Sequence, residues 1–259
     1  MDRILRRTFV TVAAVTLAAL ALGGCVSPAP SAPGSTADSD TGGEIVVYAA
    51  ASLADAFDEI GEAFTAAHPG AAFTSVYDGS STLVAQLAEG APADVFAAAD
   101  EASMQKAAAL TDESTLFASN TLVIAVPAGN PADVRTIADL AEVTTILCAP
   151  EVPCGAASAT LLDLEGVRVD PASLEQNVTA VLTKVATGEA DAGLVYATDV
   201  IDRDDVEVIV PAAAAQVVNH YPIATLDDAR NPDAAAAFVA FVLSDAGQAI
   251  LADHGFGAP

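Results

Sequence analysis

The sequence predicts an α/β fold with mainly parallel strands, and three observations carry that prediction. Short apolar strand-like runs alternate with Ala-rich stretches of helical length from residue 45 onward. Small or hydroxylic residues mark several of the strand-to-helix junctions. The region behind the N-terminal leader is long enough for one large domain or two modest lobes around good cores. A βαβα order favours parallel pairing, because strands joined through a helix run in the same direction.

Taken in order, Ile45-Val46-Val47-Tyr48 opens as a strand, followed by a helix over residues 53–68, a strand over 72–77 and a helix over 81–89. Val95-Phe96-Ala97-Ala98 reads as a buried strand and 101–110 as a helix. Residues 121–126 form a strand closed by Pro127, and a helix–strand pair follows at 137–141 and 144–148. Beyond it, 156–164 and 177–187 read as helices, 192–196 and 206–210 as strands, and 233–251 as one or two C-terminal helices.

The first residues read as an export signal. Arg3, Arg6 and Arg7 precede an uncharged run over 9–22 that is too short for a comfortable membrane span and ends in Leu22-Gly23-Gly24-Cys25. Such an ending resembles the bacterial lipobox, which implies a signal peptide over 1–24 and a lipidated Cys25 as the mature N-terminus. The Arg6-Arg7 pair leaves Sec and twin-arginine export both open. Residues 25–43, rich in Ser, Pro, Ala, Gly and Thr, read as a flexible tether. The expected location is therefore the cell membrane, facing outward and held by the lipid anchor only.

Nine Lys and Arg face 35 Asp and Glu, a formal charge of −26. Loss of Asp2, Arg3, Arg6 and Arg7 with the leader makes it −28. Nucleic acid is excluded as a partner, and any anion site must work through local donors. Cys148 and Cys154, six positions apart in an exported chain, are expected to form a disulfide rather than remain two free thiols. There is no Walker loop, dinucleotide glycine fingerprint or zinc spacing, so no cofactor is expected.

Two junctions draw notice. Ala49-Ala50-Ala51-Ser52-Leu53 follows the first strand and Asp78-Gly79-Ser80-Ser81-Thr82-Leu83 the second. A helix start offers unpaired backbone N–H groups and the positive end of its dipole, which suits an anion. Taken singly, each serine reads first as an N-cap. Together with Gly90-Ala91-Pro92-Ala93-Asp94-Val95-Phe96 and Gly193-Leu194-Val195-Tyr196, in this order and spacing, the chain resembles the periplasmic molybdate-binding proteins of ABC importers from about residue 44 to 256.

That resemblance implies a two-lobed periplasmic-binding-protein fold of type II, with two hinge crossings and the ligand cleft between the lobes. Lobe I would comprise 44–119 plus 218–259 and lobe II 120–217, with the crossings near Asn120 and Asn219 as the hinge. By motif, Ser52 and Ser80 correspond to the two serines that donate hydroxyl and N–H groups, and Cys154 and Val178 to helix-start N–H donors. Tyr196 corresponds to the tyrosine whose hydroxyl completes the shell. The ligand implied is molybdate or tungstate, so molybdenum would be held only as its oxyanion. The implied partners are an ABC permease and ATPase, and a monomer is expected.

Two departures from the family pattern stand out: Asp78-Gly79, where small or hydroxylic residues are usual, and Cys154, where alanine is common. Asp78 is expected to face away from the ligand. A donor-only shell fits a fully ionised dianion and disfavours phosphate, which carries a proton near neutral pH; sulfate, the same in charge and shape, would be separated only by cavity size and donor positions. Iron chemistry would need adjacent tyrosines, whereas Tyr48, Tyr77, Tyr196 and Tyr221 are scattered. A serine hydrolase would pair Ser52 or Ser80 with His68, His220 or His254, but no Gly-X-Ser-X-Gly elbow exists and no enzyme activity is expected.

Overall fold

The computed structural model describes residues 42–259. The predicted signal peptide, Cys25 and the tether up to residue 41 lie outside the described residues. The first strand, β1 (Gly43–Ala50), leads through a 3-10 turn (Ala51–Leu53) into α1 (Ala54–Ala67), then β2 (Ala71–Asp78), α2 (Ser80–Ala88), β3 (Val95–Ala97) and α3 (Glu101–Ala107). A long strand, β4 (Thr115–Pro127), carries the chain onward. It is followed by β5 (Thr145–Cys148), α4 (Pro153–Leu164), β6 (Ser173–Glu175), α5 (Val178–Ala186), β7 (Ala192–Tyr196) and β8 (Val206–Ile209). The chain returns through β9 (Val218–Thr225) and ends in α6 (Pro232–Leu243) and α7 (Asp245–Asp253). No single helix among the described residues is long and apolar enough to cross a membrane.

The strand order is β2-β1-β3-β9-β4-β7-β5-β6, with β8 also on β4. Pairing is parallel between β1 and β2, β1 and β3, β5 and β6, and β5 and β7. It is antiparallel wherever β4 or β9 takes part. The expectation of mainly parallel strands is therefore corrected to a mixed sheet. The physical reason is connectivity: a chain that leaves one half of the sheet and later returns does so through two oppositely directed strands, which pair with each other. β4 pairs with β9 over its first half, Asn120 standing opposite Asn219, and with β7 and β8 over its second.

The predicted strand at 121–126 is only the second half of β4, and β9 was not anticipated. The helix expected at 137–141 is present as a 3-10 helix, Ile137–Ala141. The helix expected from 156 starts at Pro153, a residue suited to a first helical turn because the missing N–H would have no partner there.

Alternation along β1 sends Ile45, Val47 and Ala49 into the larger core and Tyr48 into a second one with Leu83, Phe96 and Met104. The strand is buried on both faces, as expected where helices cover both sides. Helix α1 presents Phe57, Ile60, Gly61 and Phe64 at i, i+3, i+4 and i+7. Phe238 of α6 meets Phe57 at 6.0 Å, Phe64 at 5.4 Å and Phe73 at 5.4 Å between ring centroids, so α1, β2 and α6 lock through aromatic contacts. Asp94, 1% exposed, accepts the N–H groups of Val46 (2.8 Å), Arg230 (2.6 Å) and Asn231 (3.2 Å). This motif acid is a backbone clamp between β1 and the C-terminal segment.

Candidate ligand-binding site

Several strands deliver the chain into helix starts, and four of these starts border one small cavity. From β1 come Ala50, Ala51 and Ser52; from the turn after β2 come Asp78, Gly79 and Ser80; from the N-terminus of α4 come Pro153 and Cys154. Asn177 and Val178 arrive at the start of α5, Tyr196 at the end of β7, and Ala99 beyond β3. Ser52, Ser80, Cys154, Val178 and Tyr196, singled out in the sequence, thus line the same cavity. No Lys, Arg or His is among its lining residues.

The helix starts explain what the cavity offers. In α2, α4 and α5 the first-turn N–H groups lack intrahelical acceptors, so they point outward from the helix end. Cys154 and Val178 stand in such first turns. At α5 the Asn177 carbonyl oxygen takes the N–H of Ala180 at 2.9 Å, a side-chain cap that leaves the earlier N–H groups for another acceptor. The disulfide between Cys148 and Cys154 ties the end of β5 to the first turn of α4. Gly155 permits the tight path: a Cβ there would lie 1.9 Å from the carbonyl oxygen of Ala149.

The hydroxyls are held from behind. Ser80, 1% exposed, accepts the Ala99 N–H at 3.0 Å. The Ser52 hydroxyl shares a 2.9 Å hydrogen bond with that of Tyr221. Tyr196, also 1% exposed, accepts from the amide nitrogen of Asn219 at 3.1 Å. Burial pushes the Tyr196 hydroxyl well above the usual phenol range, reinforced by Tyr221, Asp199 and Asp100. Burial raises Tyr221 as well. Both phenols keep their protons at neutral pH and remain donors.

Asp78 lines the cavity, where the sequence placed it facing away from a ligand. Its Oδ1 accepts the N–H of Gly79 at 2.7 Å and the amide of Asn177 at 2.8 Å, so that oxygen is committed to protein donors. The contact joins the β2–α2 turn to the start of α5. Beside it Ser81 donates to the carbonyl oxygen of Glu151 at 2.5 Å. Gly79 approaches so closely that a Cβ there would meet the Gln176 carbonyl oxygen at 2.0 Å. Among the described residues no group of three or more His, Cys, Asp and Glu is arranged to hold a metal ion. The cavity thus offers hydroxyls and helix-start N–H groups beside the one carboxylate, Asp78, whose Oδ1 is held by protein donors.

Asn120, Asn219 and Tyr221 contact the lining from behind. The sequence offered the asparagines only as hinge positions and Tyr221 only as one scattered tyrosine, because their contacts join residues 23 to 169 positions apart along the chain.

A mixed sheet with helix starts converging on one cavity is the architecture of a small-ligand-binding α/β protein, and the family match makes the class that of extracellular solute-binding proteins. The chain belongs to the family described as "Bacterial extracellular solute-binding protein", which it matches over residues 45–257. It is 45% identical over 254 residues to the molybdate-binding protein ModA of Mycobacterium tuberculosis, covering 96% of each chain. The Mycobacterium bovis protein of the same name shows the same identity and coverage. Among solved structures, the Azotobacter vinelandii periplasmic molybdate-binding protein superposes with a TM-score of 0.72 at 20% identity, over 83% of this chain and 99% of that one, a likeness of fold. Family membership makes the chain a binding protein of an importer, not an enzyme.

Proposed function

We propose that the chain captures molybdate, and tungstate with it, in the cleft lined by Ser52, Ser80, Cys154, Val178 and Tyr196, and delivers it to the permease and ATPase of an ABC importer. The observation that carries this reading is the meeting of these five residues, drawn from five separate chain segments, on one cavity without basic side chains. The 45% identity to proteins named for molybdate binding supports the choice of ligand.

The chemistry is that of matched polarity. Molybdate at neutral pH accepts hydrogen bonds and donates none, and the cavity presents hydroxyls and N–H groups. Hydrogen bonds to a charged group are worth about 1.5–3 kcal/mol each. Fixed dipoles deliver them without a counter-charge, which reconciles an anion site with a chain of formal charge −26. Lobe I (44–119 plus 218–259) and lobe II (120–217) close on the ligand about the β4–β9 crossing, because donors from both sides then reach one ion. The Cys154 N–H serves the ligand while its sulfur serves the disulfide. Cys25 carries the lipid that holds the protein to the outer face of the membrane, and the protein acts as a monomer.

Calorimetric titration of the mature chain with molybdate, tungstate, sulfate and phosphate at matched salt tests the ligand. Molybdate and tungstate are expected to bind tightly and phosphate not at all; tight sulfate or phosphate binding without molybdate binding would contradict the assignment. Mass spectrometry of the membrane-extracted protein is expected to find diacylglycerol on Cys25, and an unmodified Cys25 would refute the anchor.

A further inference from the structure

A hydroxyl can donate or accept, so a cleft lined by hydroxyls discriminates by proton content only if something fixes which way each O–H points. We propose that Asn219 and Asn120 are positioning residues that do this, donating to the tyrosine oxygens from behind so that Tyr196 directly, and Ser52 through Tyr221, turn their protons toward the bound oxyanion. The inference rests on the assignment of the cleft as an oxyanion site and adds what sets its polarity.

For Asn219 the orientation of the amide is settled by its neighbour. The Nδ2 atom lies 3.0 Å from the carbonyl oxygen of Ala99, which can only accept, and 3.1 Å from the Tyr196 hydroxyl. One amide proton goes to each. The Tyr196 oxygen is thereby an acceptor toward Asn219, which leaves its proton to the neighbouring Tyr221 hydroxyl or, when an oxyanion is bound, to that charged and stronger acceptor in the cleft the residue lines.

For Asn120 the carbonyl end is fixed, since Oδ1 accepts the Thr121 N–H at 2.9 Å. Its Nδ2 donates to Thr198 Oγ1 at 2.8 Å and more loosely to the Tyr221 hydroxyl at 3.4 Å. With its oxygen accepting from Asn120, Tyr221 gives its proton to Ser52 across 2.9 Å, and the Ser52 proton turns to the cleft. The Ala99 N–H does the same for Ser80 from its own side. Both asparagines are buried, and they face each other where β4 pairs with β9. The same pair of residues thus stands at the strand crossing and behind the shell.

The consequence is selective. At these hydroxyls a ligand that brings a proton, such as hydrogen phosphate or hydrogen arsenate, meets donor against donor, whereas a bare dianion meets a donor at each.

The test is a double-mutant cycle read by calorimetry with molybdate and, in parallel, with hydrogen phosphate. Asn219→Leu is expected to weaken molybdate about tenfold or more in the otherwise unaltered protein, yet less than about twofold when Tyr196 is already Phe, because the hydroxyl through which it acts is gone. The preference for molybdate over hydrogen phosphate should narrow in Asn219→Leu and stay where it is in a core variant of equal thermal stability. Undiminished affinity in Asn219→Leu, or an equal loss in both backgrounds, would overturn the proposal. If Asn219→Leu does not fold, Asn120→Leu crossed with Tyr221→Phe reads the other arm by the same criteria. Failure of the unaltered protein to bind molybdate would instead overturn the functional assignment beneath it.

Discussion

At the scale of single residues, the two tyrosines of and behind the cavity keep one protonation state. Tyr196 and Tyr221 are buried phenols raised far from neutral pH, so each remains a donor throughout the physiological range. Tyr196→Phe removes one donor to a charged ligand and is expected to weaken molybdate by about 1–3 kcal/mol in a calorimetric titration; unchanged affinity would remove Tyr196 from the shell. Asp199 behaves differently. Burial raises its carboxyl to about 7, with Asp55 adding to the rise while the hydrogen bond from the Tyr196 N–H and the charge of Arg203 oppose it. The folded state therefore holds a proton that the unfolded chain, titrating near its ordinary value of about 4, has released. Stability falls as pH rises between those values, and the penalty is complete above about 7. Asp199→Asn keeps an acceptor for the Tyr196 N–H and removes the charge. Its Tm should exceed that of the unaltered protein at pH 8 and match it near pH 4, by differential scanning calorimetry; an equal loss at both values would contradict this account.

Residue-level legibility followed the same division. Ser52, Ser80 and Tyr196 stand in short motifs beside strands and helix starts, so the sequence shows them. Asn219 and Tyr221 act through contacts to Ala99, Tyr196 and Ser52 that only the fold creates. Asp78 was read from its motif as turned away, yet it lines the cavity, held by Gly79 and Asn177.

Among the elements, the helices behave as the sequence suggests because their apolar spacing and caps are local signals. β4 and β9 do not. The first half of β4 mixes Thr115, Ser119 and Asn120 with apolar residues, and β9 contains Pro222, which ordinarily argues against an internal strand. Here Pro222 stands opposite Leu116, next to an irregularity between Leu116 and Ala118, where the ladder is already interrupted. The close turn at Gly79 is also an element-scale feature. Its φ of −59° is open to any residue, so Gly79→Ala is opposed by contact with the Gln176 backbone and not by backbone conformation. The added Cβ would collide with Gln176, so the variant should bind molybdate at least tenfold more weakly; wild-type affinity would show that this approach does not matter for binding. In the core, Phe238→Ala empties the contact of α6 with α1 and β2 and is expected to cost about 3–5 kcal/mol in chemical denaturation. Reduction of the Cys148–Cys154 disulfide should cost about 2 kcal/mol by loop entropy and loosen the start of α4.

For the whole molecule, the sequence conveyed the α/β class, while the mixed sheet emerged only from the departure and return of the chain between the two halves. The strongly acidic surface and the donor-lined cleft act at different ranges. Long-range repulsion slows the approach of a dianion and is screened by salt, so the association rate should rise with ionic strength while the bound state, held by short contacts, changes little. The central claim is that this acidic protein holds a metal oxyanion by neutral donors alone. The most direct measurement is a crystal structure of the molybdate-loaded protein with data collected at the molybdenum absorption edge. The account predicts one anomalous peak in the cleft, its oxygens within hydrogen-bond distance of Ser52, Ser80, Cys154, Val178 and Tyr196 and of no Lys or Arg. A peak elsewhere, or one held by a basic side chain, would contradict it.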